Sequence, residues 1–380
     1  MRTFHARPHR AGIAIAIIIL ICSTATAEGP RYAKAFTLEK IGGYMAARVV
    51  SPWRGASTGF TYIFYERGKP KPALRETGAV FVETPIRRAV TFSTTYVAAL
   101  EALGVLDSLV GVDSAAYVYS AAARARIQSG AAVEVTKNWS PNLELLVRLA
   151  PEAVFTYGMG NEWDSHPMLA EAGLPVVICA EWMEDSPLGR AEWIKFFALF
   201  YGKAAQAEAA FSKIEKAYLD ATAAAAGRKG GAPKVLANAP FQGQWTVPGG
   251  RSYMAALIAD AGGDYLWKDD PQAGGLTLSV EAVYSRALDA DVWINPGTAS
   301  ALAELAAWDP RFKDIPAAAR GAVFNSSKKS LPSGANDYFE SAALRPDLVL
   351  KDLAAIFRLA APDGGTAQEP TSLEYFIKLK

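Results

Sequence analysis

The chain has 380 residues, with 39 Lys and Arg against 38 Asp and Glu, three His and two Cys. A near-neutral chain without a basic run does not suit nucleic acid or an anionic membrane surface, so neither is an expected partner. So few imidazoles and thiols also exclude a His-rich metal site and a disulfide framework.

The first residues carry Arg2, Arg7 and Arg10 without an acid, then an apolar run from Ala11 to Cys22, then Ala25-Thr26-Ala27 before Glu28. That plan predicts a secretory signal peptide over 1–27, cleaved after Ala27. The run is roughly a dozen residues, short of the ~20 that span a bilayer as a helix, so no stable membrane insertion is expected. A lipid-attachment signal wants a small residue before the cysteine, and Cys22 follows the branched Ile21. Without the leader the net charge is about −2. Cys179 then stands alone, and stability must come from apolar cores. About 350 residues suggest two domains of ordinary size, and a monomer is expected.

Residues 28–84 predict a β-rich extension: Tyr44 to Val50 and Phe60 to Tyr65 are β-branched or aromatic and are separated by Pro52 and glycines. From Arg88 the texture becomes βαβ, with Ala89 to Phe92 and Leu109 to Val112 as buried strands around a helix from Tyr96 to Leu103. It continues through a helix from Leu143 to Leu149, the strand Ala153 to Phe155, a helix from Met168 to Gly173 and the strand Pro175 to Ile178. One α/β lobe is thus predicted over 85–200, with a mostly parallel sheet. The Ala-, Lys- and Glu-rich stretch from Pro187 to about Ala226 lacks an interior proline and predicts a long helix, broken at most near Gly202. Its part over 201–230 would join two lobes. A second α/β lobe follows over 231–360, with strands at Lys234 to Asn238, Val292 to Asn295 and Ala322 to Phe324 and a last helix from Pro346 to Leu359. A tail occupies 361–380. The segment Asn142 to Arg148 leading to Val154-Phe155 is echoed by Ser279 to Arg286 leading to Val292-Trp293, so the second lobe restates the first. The predicted fold is α/β: two Rossmann-like lobes joined by a single long helix, with a ligand cleft between them.

The run Asn142-Leu143-Glu144 followed by Ala150-Pro151-Glu152-Ala153-Val154 resembles a segment of the periplasmic binding proteins that serve siderophore, haem and cobalamin ABC importers. Ser279-Val280-Glu281 occupies the same place in the second lobe, and Arg345 to Leu353 is similar to the family's terminal helix. The resemblance runs from about Arg88 to Leu359. It implies a binding protein that captures a metal chelate (ferric siderophore first, haem or corrinoid next) and carries no intrinsic cofactor. It also implies a permease dimer as partner, docked through one glutamate per lobe, here Glu144 and Glu281. The stretch from Glu181 to Ile194, the extension and the tail Tyr375 to Leu379 resemble a branch of that family whose ligand is often unassigned.

Open parallel sheets expose their binding crevices at the turns that follow strands. In the first lobe those turns hold Asp113, Tyr117 and Tyr119, then Trp139, then Glu162, Trp163 and Asp164, then Glu181, Trp182 and Glu184. In the second they hold Trp245, Arg251, Tyr253, Trp267, Asn325, Asp337 and Tyr338. Aromatic faces suit a macrocycle or a catecholate, and arginine pairs with an anionic chelate. The acids Asp113, Glu162, Asp164, Glu181, Glu184 and Asp185 offer an alternative, a directly bound hard cation such as a lanthanide or Fe(III), although no EF-hand-like spacing supports it. His166 is the one imidazole left for an axial contact to a chelated metal. A ligand sensor or scaffold without transport is the other alternative.

Catalysis is not expected. Gly55-Ala56-Ser57-Thr58-Gly59 matches a nucleophile-elbow pattern but lies among β-rich segments, not between a strand and a helix. Gly158-Met159-Gly160 lacks the third glycine of a dinucleotide loop.

Overall fold

The computed structural model describes residues 29–227, 231–361 and 372–380. The leader and Cys22 lie outside them. Among the described residues, no helix is long and apolar enough to cross a membrane.

The extension folds as a four-stranded sheet in chain order, from Phe36–Ile41, Tyr44–Val49, Phe60–Glu66 and Ala79–Thr84. Gly42 and Gly43 both take positive φ, 57° and 87°, as the two-residue turn of a tight hairpin requires. One face is apolar and packs on helices of the first lobe, with Phe36 against Trp193 and Phe196, and Tyr62 and Phe64 against Phe200. The Tyr62 hydroxyl accepts the Ile178 N–H at 2.7 Å. Extension and first lobe therefore share one core.

The first lobe has five parallel strands in the spatial order Val176–Ile178, Ala153–Thr156, Ala89–Thr91, Leu109–Val112 and Val133–Glu134. In the second lobe the order is Val323–Asn325, Val292–Ile294, Lys234–Ala237 and Asp264–Tyr265, also parallel, with Ile377–Lys378 added antiparallel at the outer side of Val323–Asn325. The first four strands of each lobe thus share one topology, which is the architectural form of the sequence echo. Central strands are buried along their length because helices cover both faces, and this is why they read as continuous apolar runs.

The stretch from Pro187 is not one helix. It forms Pro187–Glu192, Ile194–Leu199 and the 23-residue Ala204–Ala226. Gly202, at φ 64°, turns the chain between the last two in a conformation that favours glycine. The long helix is about 34 Å. It buries Ala207, Phe211, Ile214 and Tyr218 along one stripe and lies against both Ile194–Leu199 and the terminal helix Pro346–Ala360. It is a packed strut and not a free rod.

The lobes also touch directly. The short helix Asp337–Glu340 of the second lobe packs on Thr94–Ala102 of the first. The buried Glu340 carboxylate accepts the N–H groups of Tyr119 at 2.6 Å and Ser120 at 2.8 Å. Ser333 donates to the Ala116 carbonyl at 2.8 Å.

Candidate functional site

The carboxyl ends of the first-lobe strands open on the inter-lobe cleft. One cavity of about 260 Å³ has Thr91, Asp113 and Tyr117 on the first-lobe side and Asn336 and Phe339 on the other. The Thr91 hydroxyl is buried there without a hydrogen-bond partner. Burial raises the Asp113 carboxyl above its usual range, although the Thr136 hydroxyl donates to it.

A second cavity of about 260 Å³ meets the first at Ser93 and is walled by Tyr96, Tyr157, Met159, Glu181 and Trp182. Glu181 is 6% exposed, and its Oε2 has no partner. Burial holds its carboxyl up to about 7. The Trp182 indole N–H is likewise buried and unpaired. Burial also raises the Tyr157 phenol, and the charges of Asp113 and Asp164 add to this.

On the second-lobe side, Arg190 reaches across from the first of the connecting helices. Its guanidinium lies 4.0 Å from the centre of the Tyr253 ring, while Nε and Nη2 donate to the carbonyls of Glu184 and Trp182 at 3.2 and 3.0 Å. Burial pushes the Tyr253 phenol up to about 12 and the Tyr338 phenol higher still, and the charge of Arg190 opposes both shifts. Asn238 and Asn295, each at the end of a second-lobe strand, hold φ of 64° and 53°. Such left-handed non-glycine residues concentrate where a site fixes the backbone.

Of the sequence-predicted residues, Asp113, Tyr117 and Trp182 line these cavities, and Tyr253 and Tyr338 stand around Arg190. Trp139 and Trp163, 91% and 84% exposed, project into solvent, and Glu162 and Arg251 are exposed as well. Four others are engaged within the protein itself. Glu184 is buried and accepts the Lys34 and Ala35 N–H groups and the Trp193 indole N–H, so it clasps the start of the extension. Trp245 sits in the second-lobe core, 5.5 Å from both Trp293 and Phe312, with its indole donating to the Ala237 carbonyl. Asn325 donates to the Gly297 and Ala299 carbonyls and accepts the Ser326 N–H. Asp164 accepts the Met159 and Gly160 N–H groups at 2.7 and 2.8 Å and thereby shapes the loop over the second cavity.

Trp53 of the extension braces that loop from behind. A β-carbon built on Gly160 would stand 2.4 Å from its indole, so only glycine admits the contact. His166 packs between Trp53 and Phe60, and burial lowers its pKa, so it is committed to that seam. Among the described residues, no three His, Cys, Asp or Glu gather as metal ligands. Of the acids considered for a hard cation, Asp164 and Glu184 are taken up by backbone N–H groups. Sequence reasoning missed Thr91, Tyr157, Arg190, Asn336 and Phe339. Thr91 ends the strand Ala89–Thr91 and Tyr157 follows Ala153–Thr156, so one residue of error at each predicted strand end hid them; nothing in the sequence marked Arg190.

Glu144 and Glu281 occupy matching places in the two lobes. Each lies in the first turn of a helix, Leu143–Leu149 capped by Asn142 and Val280–Ala287 capped by Ser279, and each helix feeds a topologically equivalent strand. Their side chains are 90% and 74% exposed, with only long contacts of 3.9 Å to Arg148 and 3.7 Å to Arg311. Ser57 sits exposed in the loop before Phe60–Glu66, away from a strand-to-helix turn.

The family model for periplasmic binding proteins matches residues 90–330, from the first strand of one lobe past the last parallel strand of the other. This chain is a periplasmic binding protein. Such proteins bind small ligands and work with ABC permeases; the family and its structural neighbours are binding proteins, not enzymes. A curated relative, an uncharacterised lipoprotein of Methanocaldococcus jannaschii, is 28% identical over 341 residues, covering 83% of this chain and 79% of its own. Among solved structures, a periplasmic haem-binding protein of Pseudomonas aeruginosa superposes with a TM-score of 0.56 at 21% identity, over 77% of this chain and 97% of its own. The vitamin B12-binding protein of Vibrio cholerae gives 0.52 at 12%, over 73% and 98%. At those identities the likeness is one of fold: two lobes with mostly parallel sheets facing one cleft.

Proposed function

We propose that this periplasmic binding protein is exported through a cleaved leader, captures a metal chelate in the inter-lobe cleft and delivers it to an ABC permease dimer. The observation that carries the reading is the polar wall of the cleft. Thr91, Glu181 and Trp182 each hold a buried group without a protein partner, and a ligand that pairs with such a group recovers about 1–3 kcal/mol of its burial cost. The aromatic rings of Tyr117, Tyr157, Trp182 and Phe339 suit the flat faces of a chelate, and the haem and B12 binders of the same fold favour that class. Delivery rests on Glu144 and Glu281, one exposed carboxylate per lobe at equivalent positions, a pattern that matches a two-fold partner.

The cargo is identified by native mass spectrometry, metal analysis and an absorption spectrum on protein taken gently from its own periplasm. With that cargo in hand, Glu144→Ala together with Glu281→Ala is expected to abolish uptake while leaving the affinity for the cargo unchanged. Undiminished uptake by the double variant contradicts the docking role.

A further inference from the structure

The cavity beneath Met159 is too small for a whole chelate. At about 260 Å³ it falls below the usual range for a complete small-molecule site, and its chemistry is one-sided. Three aromatic side chains, Tyr96, Tyr157 and Trp182, surround one carboxylate with a free oxygen. A carboxylate oxygen in that state calls for a donor. The protein does not supply one: Arg190 is the nearby cation, and it gives its Nε and Nη2 donors to the Glu184 and Trp182 carbonyls and its face to Tyr253. The other charges that bear on the cavity are acidic, namely Asp113 and Asp164 acting on Tyr157 and Glu184 acting on Glu181. Aromatic faces around a negative floor attract a cation that also donates hydrogen bonds.

We propose that this cavity is an ammonium subsite, in which Glu181 receives a primary ammonium group carried on an arm of the ligand, between the rings of Tyr157 and Trp182. The inference rests on the cleft being the capture site, and it narrows the ligand to one with a pendant amine. The unpaired Trp182 indole N–H would take an oxygen of the same arm. The body of the ligand would lie in the adjoining cavity, across Ser93, against Tyr117 and Phe339. Because burial holds Glu181 up to about 7, an ammonium would bind the ionised form, so affinity rises as pH passes upward through that value.

The test needs neither chelate nor permease. Phenethylammonium and its neutral counterpart 2-phenylethanol are titrated into the purified protein at about pH 8, where Glu181 is ionised. The Trp182 indole ¹H–¹⁵N resonance, assigned with Trp182→Phe, is followed. The expected result is a saturable shift with phenethylammonium, roughly tenfold weaker for the alcohol and roughly tenfold weaker in Glu181→Gln. Tyr157→Leu, which keeps the carboxylate and removes one ring, should weaken the ammonium as well and guards against a Glu181 variant that folds poorly. Equal affinity for ammonium and alcohol, an ammonium affinity unchanged in both variants, or no saturable shift into the tens of millimolar overturns the subsite. Such a result leaves chelate capture standing. Failure of the purified protein to bind any chelate, with the fragment binding as expected, removes the chelate reading alone.

Discussion

Two buried glutamates give this protein a pH dependence that ordinary carboxylates would not. Burial raises Glu181 and Glu340 from 4.5 to about 7 each, and in Glu340 the N–H groups of Tyr119 and Ser120 only partly oppose the shift. A raised folded-state value means that the native protein holds more protons at these sites than the unfolded chain between about 4.5 and 7. Their contribution to stability is full below 4.5 and is lost as pH rises through 7. His166 has the opposite sign, since burial lowers it from 6.5: its contribution is present above that value and is lost as pH falls. The two effects separate by substitution. The melting temperature of Glu181→Gln or Glu340→Gln is expected to fall less than that of the parent as pH is raised across this window, and parallel profiles would contradict the assignment. Glu340 carries a further consequence, because its two hydrogen bonds cross from one lobe to the other.

At the level of elements, the extension is held at its start by two carboxylates from one short helix and its preceding turn. Glu192 accepts the N–H groups of Arg31, Tyr32 and Ala33 at 2.7–2.9 Å, and Glu184 those of Lys34 and Ala35 at 2.8–2.9 Å. Five consecutive backbone donors are thus satisfied by two side chains. Similarly, Asp352 on the terminal helix accepts the N–H groups of Glu374, Tyr375 and Phe376, which sets the tail strand against Val323–Asn325. Glu184→Ala strands two backbone donors and the Trp193 indole, and a loss of about 2–4 kcal/mol is expected in urea unfolding. Trypsin should then cut at Arg31 and Lys34 in native buffer. A resistant segment with unchanged stability would show that the clasp contributes nothing.

Over the whole molecule, the connection between lobes decides how far they can move. Three successive helices, the last packed along the terminal helix, and the contacts of Asp337–Glu340 with Thr94–Ala102 all tie the lobes together. A hinge of flexible strands permits wide closure; packed helices permit small rotations and shear. Small-angle scattering is therefore expected to register a change in radius of gyration of less than about 2 Å between empty and loaded protein. A larger contraction would require the long helix to leave its neighbours.

The two-lobed α/β architecture was legible in the sequence because buried parallel strands leave short continuous apolar runs, and because Asn142 to Val154 and Ser279 to Trp293 repeat one helix-to-strand pattern on either side of a helical stretch. The placement of Glu144 and Glu281 in the first turns of matching helices was legible for the same reason: a first-turn position depends on local order alone. The cleft was not. Trp182 and Trp245 are the same residue type and both fall in predicted turns, yet one lines a cavity and the other, in the strand Gln244–Pro248, fills the second-lobe core, since the difference lies in what packs against each ring. Glu181 and Glu184 are three residues apart, and one is unpaired in the cleft while the other closes on Lys34 and Ala35, some 150 positions away along the chain. Arg190, near the start of a helical run, becomes a cleft residue only because Tyr253 of the other lobe meets it. Local pattern determined which elements form and in what order; burial and pairing between distant segments, set only by the tertiary fold, decided which of their side chains face the cleft.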